Sequence, residues 1–482
     1  MPIQPVLDAG TVAANLSDLK PPFSDQEAVV EANRCLFCFD APCIKACPTG
    51  IDVPTFIRKI TTGNLTGAAR TILEANVLGA SCARVCPTQV LCEGACVMLD
   101  LEKTPIQIGR LQRHATDHVA RHGIEVLEPP AARNGRRVAV LGAGPAGLGC
   151  AAELARLGYA VTVFDRKPAG GGLNTYGIAY YKMRPEVSLD EVRSIERLGV
   201  GFRYGVELGR DLSAADLERD HDAIFIGIGL GGANRLGIAG EDLPEVIDAL
   251  EFIEWIHTRP LDQVPVGRRV VVLGCGNTAI DAVTQARRLG AEEATIVYRR
   301  GPADMSAYAF EYELAKADGS SFLFEAAPVE VLGKDGHVAA LRLARTAVDA
   351  GRVSVVPGSE WTIPCDLVLK AVGQEKQVGL LSRLFPTLAL DPQGRVAHDA
   401  STMQTNLPRV FVGGDAASGG REVVNAVADG KKAARGIHAF LTGETVRGPV
   451  QPSRLGMPDG GVGSGFDHPI RVHELEAALK QG

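Results

Sequence analysis

The sequence predicts an α/β fold: a helical, cysteine-rich amino-terminal domain, then two Rossmann-like doubly wound domains, the second inserted in the first. Three observations predict it. Eight of the eleven cysteines fall from Cys35 to Cys96. A strand–glycine turn–helix–strand unit at 137–165 recurs at 269–300, its first glycines, Gly142 and Gly274, 132 residues apart. A further strand followed by Gly413-Gly414-Asp415 comes after the second unit and returns the chain to the first.

At 482 residues the chain has room for about three domains. Its composition, 46% hydrophobic and 22% charged, excludes a disordered or fibrous chain. A net charge of -7 without a run of five like charges argues against nucleic acid and anionic membrane as partners. The sequence has no uncharged 18-residue apolar stretch. The opening residues also lack the basic-then-apolar order of a signal peptide, so a cytoplasmic protein is expected.

The elements follow in order. Residues 1–130 form the cysteine-rich domain, in which PTFIRKITTGNLTGAARTILEAN (54–76) suits short packed helices. The Pro/Asn/Gly-bearing segment LEPPAARNGRR (127–137) marks a boundary. The first nucleotide domain is expected over 131–265 and 386–445, and the inserted one over 266–385. The tail, 446–482, carries a short amphipathic stretch, VHELEAALK, suited to docking on a partner.

The cysteines carry the first chemistry. One group is Cys35-x2-Cys38-x4-Cys43-x3-Cys47-Pro48 and the other Cys82-x3-Cys86-Pro87-x5-Cys92-x3-Cys96. Zinc knuckles come as separated C-x2-4-C pairs, which these uneven spacings fit poorly. Close runs of thiolates with trailing prolines fit two 4Fe–4S clusters, which often borrow a distant cysteine from the neighbouring run. Cys150, Cys275 and Cys365 read as small buried hydrophobes.

The glycines carry the second. Gly142, Gly144 and Gly147 follow a β-branched strand and open an alanine-rich helix, a pattern that seats a pyrophosphate on the helix amino terminus. Gly274, Gly276, Asn277 and Thr278 repeat it, with Ala279 in the third glycine's place. Asp165 ends the second strand of the first unit and suits a ribose hydroxyl; Arg299-Arg300 end that of the second and suit a 2′-phosphate. The first site therefore reads as FAD and the second as NADPH, with NADH open. Asp415 suits the flavin ribityl or phosphate groups, and the helix starting near Glu422 points its amino terminus at the flavin pyrimidine ring.

The segments RCLFCFDAPCIKACPTGIDVPTFI, CARVCPTQVLCEGAC, PIQIGRLQRHATD, VAVLGAGPAGL, STMQTNLPRVFVGGD and VADGKKAA identify a family. From about residue 30 to 440 the chain resembles the flavin-containing subunit of bacterial dihydropyrimidine dehydrogenase and the amino-terminal half of the fused eukaryotic enzyme. The glutamate synthase small subunit shares the architecture but carries glutamate where this chain has Gln112. The resemblance implies interleaved clusters: Cys35, Cys38, Cys43 and Cys96 on one, and Cys47, Cys86, Cys92 and Gln112 on the other. Cys82 is then a bystander, although spacing alone would make it a ligand. The flavin set implied is Gly142, Gly144, Gly147, Asp165, Leu173, Lys182, Gly414, Asp415 and Val423. Lys182 stands where the family's flavin-proximal arginine is expected. The nicotinamide-nucleotide set is Gly274, Gly276, Asn277, Thr278, Arg299, Arg300, Ala371 and Gly373, with Ser306 where the family has a second phosphate arginine.

The function implied is electron input: NAD(P)H to FAD, then two clusters, then a partner holding FMN and 4Fe–4S clusters that reduces uracil or thymine. No acid–base residue is assigned, because the cofactors do the chemistry. Domains for clusters and nucleotides fill residues 30–441, which puts the pyrimidine site on another polypeptide, in a hetero-oligomer joined through the cluster domain. The alternatives are a glutamate synthase small subunit or an NAD(P)H–ferredoxin oxidoreductase subunit. A non-enzymatic redox sensor is disfavoured by two intact nucleotide motifs.

Overall fold

The computed structural model describes residues 6–349, 351–446 and 448; VHELEAALK lies outside them. The cluster domain is a set of short helices. Asp52 caps Val53–Thr61 by accepting the Thr55 N–H at 3.1 Å, and Asn64 caps Leu65–Ala75 through Gly67 N–H at 2.8 Å. These helices bury Phe56, Ile57, Ile60 and Ile72 against the helix Ile108–Arg121. Cys35, Cys43, Cys47, Cys92 and Cys96 pack against the same core.

Among the described residues fourteen strands follow: β1 (Arg137–Leu141), β2 (Ala160–Asp165), β3 (Gly201–Tyr204), β4 (Ala223–Ile226), β5 (Val246–Asp248), β6 (Arg269–Leu273), β7 (Glu293–Tyr298), β8 (Ser321–Phe324), β9 (Ala326–Lys334), β10 (His337–Asp349), β11 (Arg352–Val355), β12 (Trp361–Pro364), β13 (Leu367–Lys370) and β14 (Val410–Val412). The first parallel sheet has the order β14-β4-β1-β2-β3 and the second β5-β13-β6-β7-β8. Strand β14 joins the first sheet only after the whole second sheet is complete, so the second domain is inserted in the first. An antiparallel sheet of β9–β12 is appended to the inserted domain. Cys150, Cys275 and Cys365 are buried, as small core hydrophobes are.

Two expected boundaries move. The inserted domain begins well before 266, because β5 pairs with β13. It ends before 385, because Leu381 and Leu384 pack in the first domain's core. The two connections run side by side at 231–234 and 373–375, where Asn234 N–H donates to Gly373 O at 2.9 Å and Gly231 N–H to Glu375 O at 2.7 Å. The amino terminus also moves. Leu7, Val12 and Leu16 pack on the inserted domain rather than on the cluster helices, and Asn15 donates to Arg288 O at 2.9 Å.

Candidate functional site

Each glycine of the first turn has its own steric reason. Gly142 has φ +100°, and a Cβ there would lie 2.4 Å from Gly227 O. Gly147 would place a Cβ 1.9 Å from Gly142 O, so only glycine lets the helix Pro145–Arg156 meet the strand. Gly144 has an ordinary φ of -77°. A Cβ there would meet nothing nearer than Gly172 Cα at 3.9 Å. That space is the cradle a pyrophosphate needs. The second turn repeats this with Gly274 at φ +118° and a Cβ 2.2 Å from Ala371 O, and with buried Ala279 at the third position.

The remaining flavin candidates gather at this edge. Asp165 Oδ2 accepts the Ala143 N–H of the glycine turn at 2.7 Å. Gly172, which precedes Leu173, would put a Cβ 2.7 Å from Gly144 Cα. Gly414 would put one 2.9 Å from the Ala146 Cβ. Asp415 starts a short helix; burial raises its carboxyl above the usual range, against a hydrogen bond from Arg421 N–H. Val423 opens the long helix Val423–Thr442, which packs on Pro145–Arg156 so closely that a Cβ on Gly430 would lie 2.0 Å from Ala146 O. A half-buried carboxyl beside an open glycine cradle fits a flavin's ribityl chain and pyrophosphate.

Lys182 is engaged elsewhere. Its Nζ lies 2.6 Å from both Asp281 Oδ1 and Glu311 Oε1 of the inserted domain. Burial would lower its pKa, but the two carboxylates outweigh burial and raise it. Lys182 thus ties the two nucleotide domains together.

A cleft of about 650 Å³ holds the second set. Gly274, Gly276, Asn277, Thr278, Arg299, Ser306, Ala371 and Gly373 line it, and Gly419 and Gly420 of the first domain supply another wall. Arg300 is not among the lining residues, so only Arg299 of the pair faces the space. Tyr308 donates its hydroxyl to Glu422 at 2.6 Å, linking this domain to the start of the long helix.

The sulfurs sort into two groups. Cys35, Cys38, Cys43 and Cys96 line one small cavity with Leu36, Ile57 and Met98. Burial pushes the Cys43 thiol up to about 12 and raises Cys35 as well. Burial thus disfavours the thiolates of Cys35 and Cys43, a cost that a metal's positive charge would offset. Cys47, Cys86 and Cys92 form the other group, in which Cys82 and then burial raise Cys86. Cys82 hydrogen-bonds Cys86, so it stays in contact with this group. Gln112 is buried on Ile108–Arg121, and its Nε2 donates to Gly79 O at 2.7 Å, which leaves Oε1 as the atom able to ligate a metal. Four sulfurs around one cavity are a donor set that suits a 4Fe–4S cluster.

Comparison with known proteins places these features in a family. Residues 12–124 match the family described as dihydropyrimidine dehydrogenase domain II, 4Fe–4S cluster, and residues 136–430 match the pyridine nucleotide-disulphide oxidoreductases. The chain belongs to the pyridine nucleotide-disulphide oxidoreductase family, in the group with an amino-terminal 4Fe–4S domain. It is similar to the NADPH glutamate synthase small chain of Escherichia coli, 36% identical over 88% of this chain and 93% of that one. It is also similar to the NAD-dependent dihydropyrimidine dehydrogenase subunit PreT of Escherichia coli, 34% identical over 89% and 98%. The fold resembles Mycobacterium tuberculosis FprA in complex with NADPH, with a TM-score of 0.52 and 22% identity over 64% of this chain and 85% of that one. The protein is an NAD(P)H-dependent flavoprotein oxidoreductase that uses FAD and iron–sulfur chemistry. Among the described residues no helix is long and apolar enough to cross a membrane.

Proposed function

We propose that this chain is the electron-input subunit of a dihydropyrimidine dehydrogenase. In this reading Arg299 and the Gly274 turn hold NAD(P)H, and the Gly142 turn, Asp165 and Asp415 hold FAD. When bound, FAD converts a two-electron hydride into single electrons that clusters can carry. Cys35, Cys38, Cys43 and Cys96 hold one cluster; Cys47, Cys86, Cys92 and Gln112 hold the other. A partner subunit with FMN and 4Fe–4S clusters completes a hetero-oligomer and reduces uracil or thymine.

The observation that carries this reading is Gln112, buried with its amide nitrogen committed to Gly79 O. An exit through the cluster domain is supported by Leu36, which lines the first sulfur cavity yet is 55% exposed, and by neighbouring Phe39, 97% exposed. Apolar side chains left in water beside a redox centre suit burial against another protein. A second reading, a glutamate synthase small subunit, is favoured by the 36% identity over 93% of that relative.

The test is reconstitution under anaerobic conditions. The loaded chain alone should oxidise NAD(P)H with ferricyanide and leave uracil untouched, and an added FMN-bearing pyrimidine-reducing subunit should start uracil consumption. Uracil turnover by the single chain, or none with the added subunit, contradicts the reading.

A further inference from the structure

Two of the contacts between the flavin-binding domain and the cluster domain each end beside a cysteine of the same group. The first is made by Glu191, on the helix Pro185–Arg197. Its Oε1 accepts the N–H groups of Ala80 at 2.8 Å and Ser81 at 3.0 Å, and its Oε2 accepts the Ser81 hydroxyl. These are first-turn donors of the helix Gly79–Val85, which runs directly into Cys86. That helix has Leu78 at its N-cap position and no side-chain cap from its own sequence, so the cap comes from the other domain.

The second contact is made by Lys431, within the VADGKKAA segment of the helix Val423–Thr442. Its Nζ donates to Ala75 O at 2.8 Å, the last residue of Leu65–Ala75, and to Thr49 O at 3.3 Å. Thr49 is two residues beyond Cys47, and its hydroxyl lies 3.3 Å from Cys47 Sγ. The same helix begins next to Glu422 and packs on the helix of the first glycine turn. One element therefore links the flavin cradle to the flank of Cys47.

Neither side chain belongs to a nucleotide site. Glu191 is almost fully buried; Lys431 is half-buried, hydrogen-bonded only to carbonyl oxygens in the bonds above and drawn electrostatically by Glu153. A buried carboxyl and a half-buried ammonium of this kind are poor sources of stability, and a role in fixing geometry explains them better. We propose that Glu191 and Lys431 are positioning residues for internal electron transfer, fixing Cys86 and Cys47, and with them the second cluster, against the flavin domain. This rests on reading Cys47, Cys86, Cys92 and Gln112 as one cluster's ligands, fed from the flavin. Electron transfer falls steeply with distance, so loosening either anchor slows that step and spares hydride transfer.

The test uses the full chain loaded with flavin and clusters, mixed with NAD(P)H in an anaerobic stopped-flow instrument that follows flavin and cluster bleaching separately. Glu191→Ala and Lys431→Met should keep flavin reduction within about twofold and slow cluster reduction by about tenfold, as small misplacements do to other positioned steps. Glu191→Gln, which retains an acceptor for the two N–H groups, should restore most of the rate. In the unloaded chain, Glu191→Ala should speed amide hydrogen exchange over residues 79–86. If Glu191→Ala does not fold, Ser81→Ala decides, with an expected slowing of about threefold. Unchanged cluster reduction in the folded variants, or equal loss of both phases, overturns the proposal. Absence of cluster reduction in the unsubstituted chain overturns the underlying reading instead.

Discussion

The side-chain amide of Gln112 donates to the carbonyl oxygen of Gly79 at 2.7 Å, bridging the helix Ile108–Arg121 to the helix that leads into Cys86. In the proposed ligand set that bond leaves the amide oxygen to face the metal, since only the oxygen of a carboxamide has a lone pair to give.

Cluster assembly should therefore depend on Gln112 more than on Cys82. Reconstituted protein should hold two cubanes, about eight iron per chain. Gln112→Ala should lose or destabilise one of them, and Cys82→Ala should retain both. Iron analysis and low-temperature EPR read the result, and equal loss from Cys82→Ala would reinstate the ligand set that spacing alone suggests.

Two of the three flavin-turn glycines, Gly147 and Gly144, should fail in different ways. Gly147→Ala drives a Cβ to 1.9 Å from Gly142 O, so the apo-protein should lose about 1–3 kcal/mol of stability. Gly144→Ala has room, so its apo-protein should melt like the unsubstituted one yet bind FAD at least about tenfold more weakly. Thermal melts paired with flavin titrations distinguish the two.

Nucleotide choice should follow Arg299, which lines the cleft as Arg300 does not. Arg299→Ala should weaken NADPH by about 1.5–3 kcal/mol, roughly tenfold to a hundredfold in Kd. NADH binding should change little, and Arg300→Ala should have the smaller effect. Equal losses for both nucleotides would remove the 2′-phosphate from the account.

The junction of the cluster and flavin domains should weaken as pH rises. Burial lifts the Glu191 carboxyl from 4.5 to about 7, against the opposing hydrogen bonds from Ser81 and Ala80 and the charge of Arg84. The folded state thus favours the protonated acid. Its contribution is complete below pH 4.5 and is lost as pH passes through 7. The melting temperature should fall between pH 5 and 8, and Glu191→Gln should flatten that slope; an unchanged slope in Glu191→Gln would assign it to other groups.

The parts legible in the sequence are those set by local sterics and local chemistry. Gly147 answers a clash with Gly142 O five residues back, and the glycine spacing reads directly as a strand–turn–helix, although the backbone that crowds Gly142 and Gly274 comes from Gly227 and Ala371. Cysteine runs read as cluster loops for the same reason. The rest depends on partners distant in the chain. Strand β5 is three residues long and is defined only by its pairing with β13. Residues 7–16 find their apolar partners on the inserted domain. Lys182 looks like a flavin residue until Asp281 and Glu311, 99 and 129 positions away, close on it. Glu191 sits on an ordinary amphipathic helix, and nothing in its neighbourhood announces that it caps Gly79–Val85.

The most direct test of the central claim is the reaction of the native complex. The chain, purified with whatever it binds in its own cell, should oxidise NAD(P)H when uracil is added and yield dihydrouracil in equal amount. NAD(P)H oxidation that ignores uracil and requires glutamine and 2-oxoglutarate, with glutamate as product, would contradict the account.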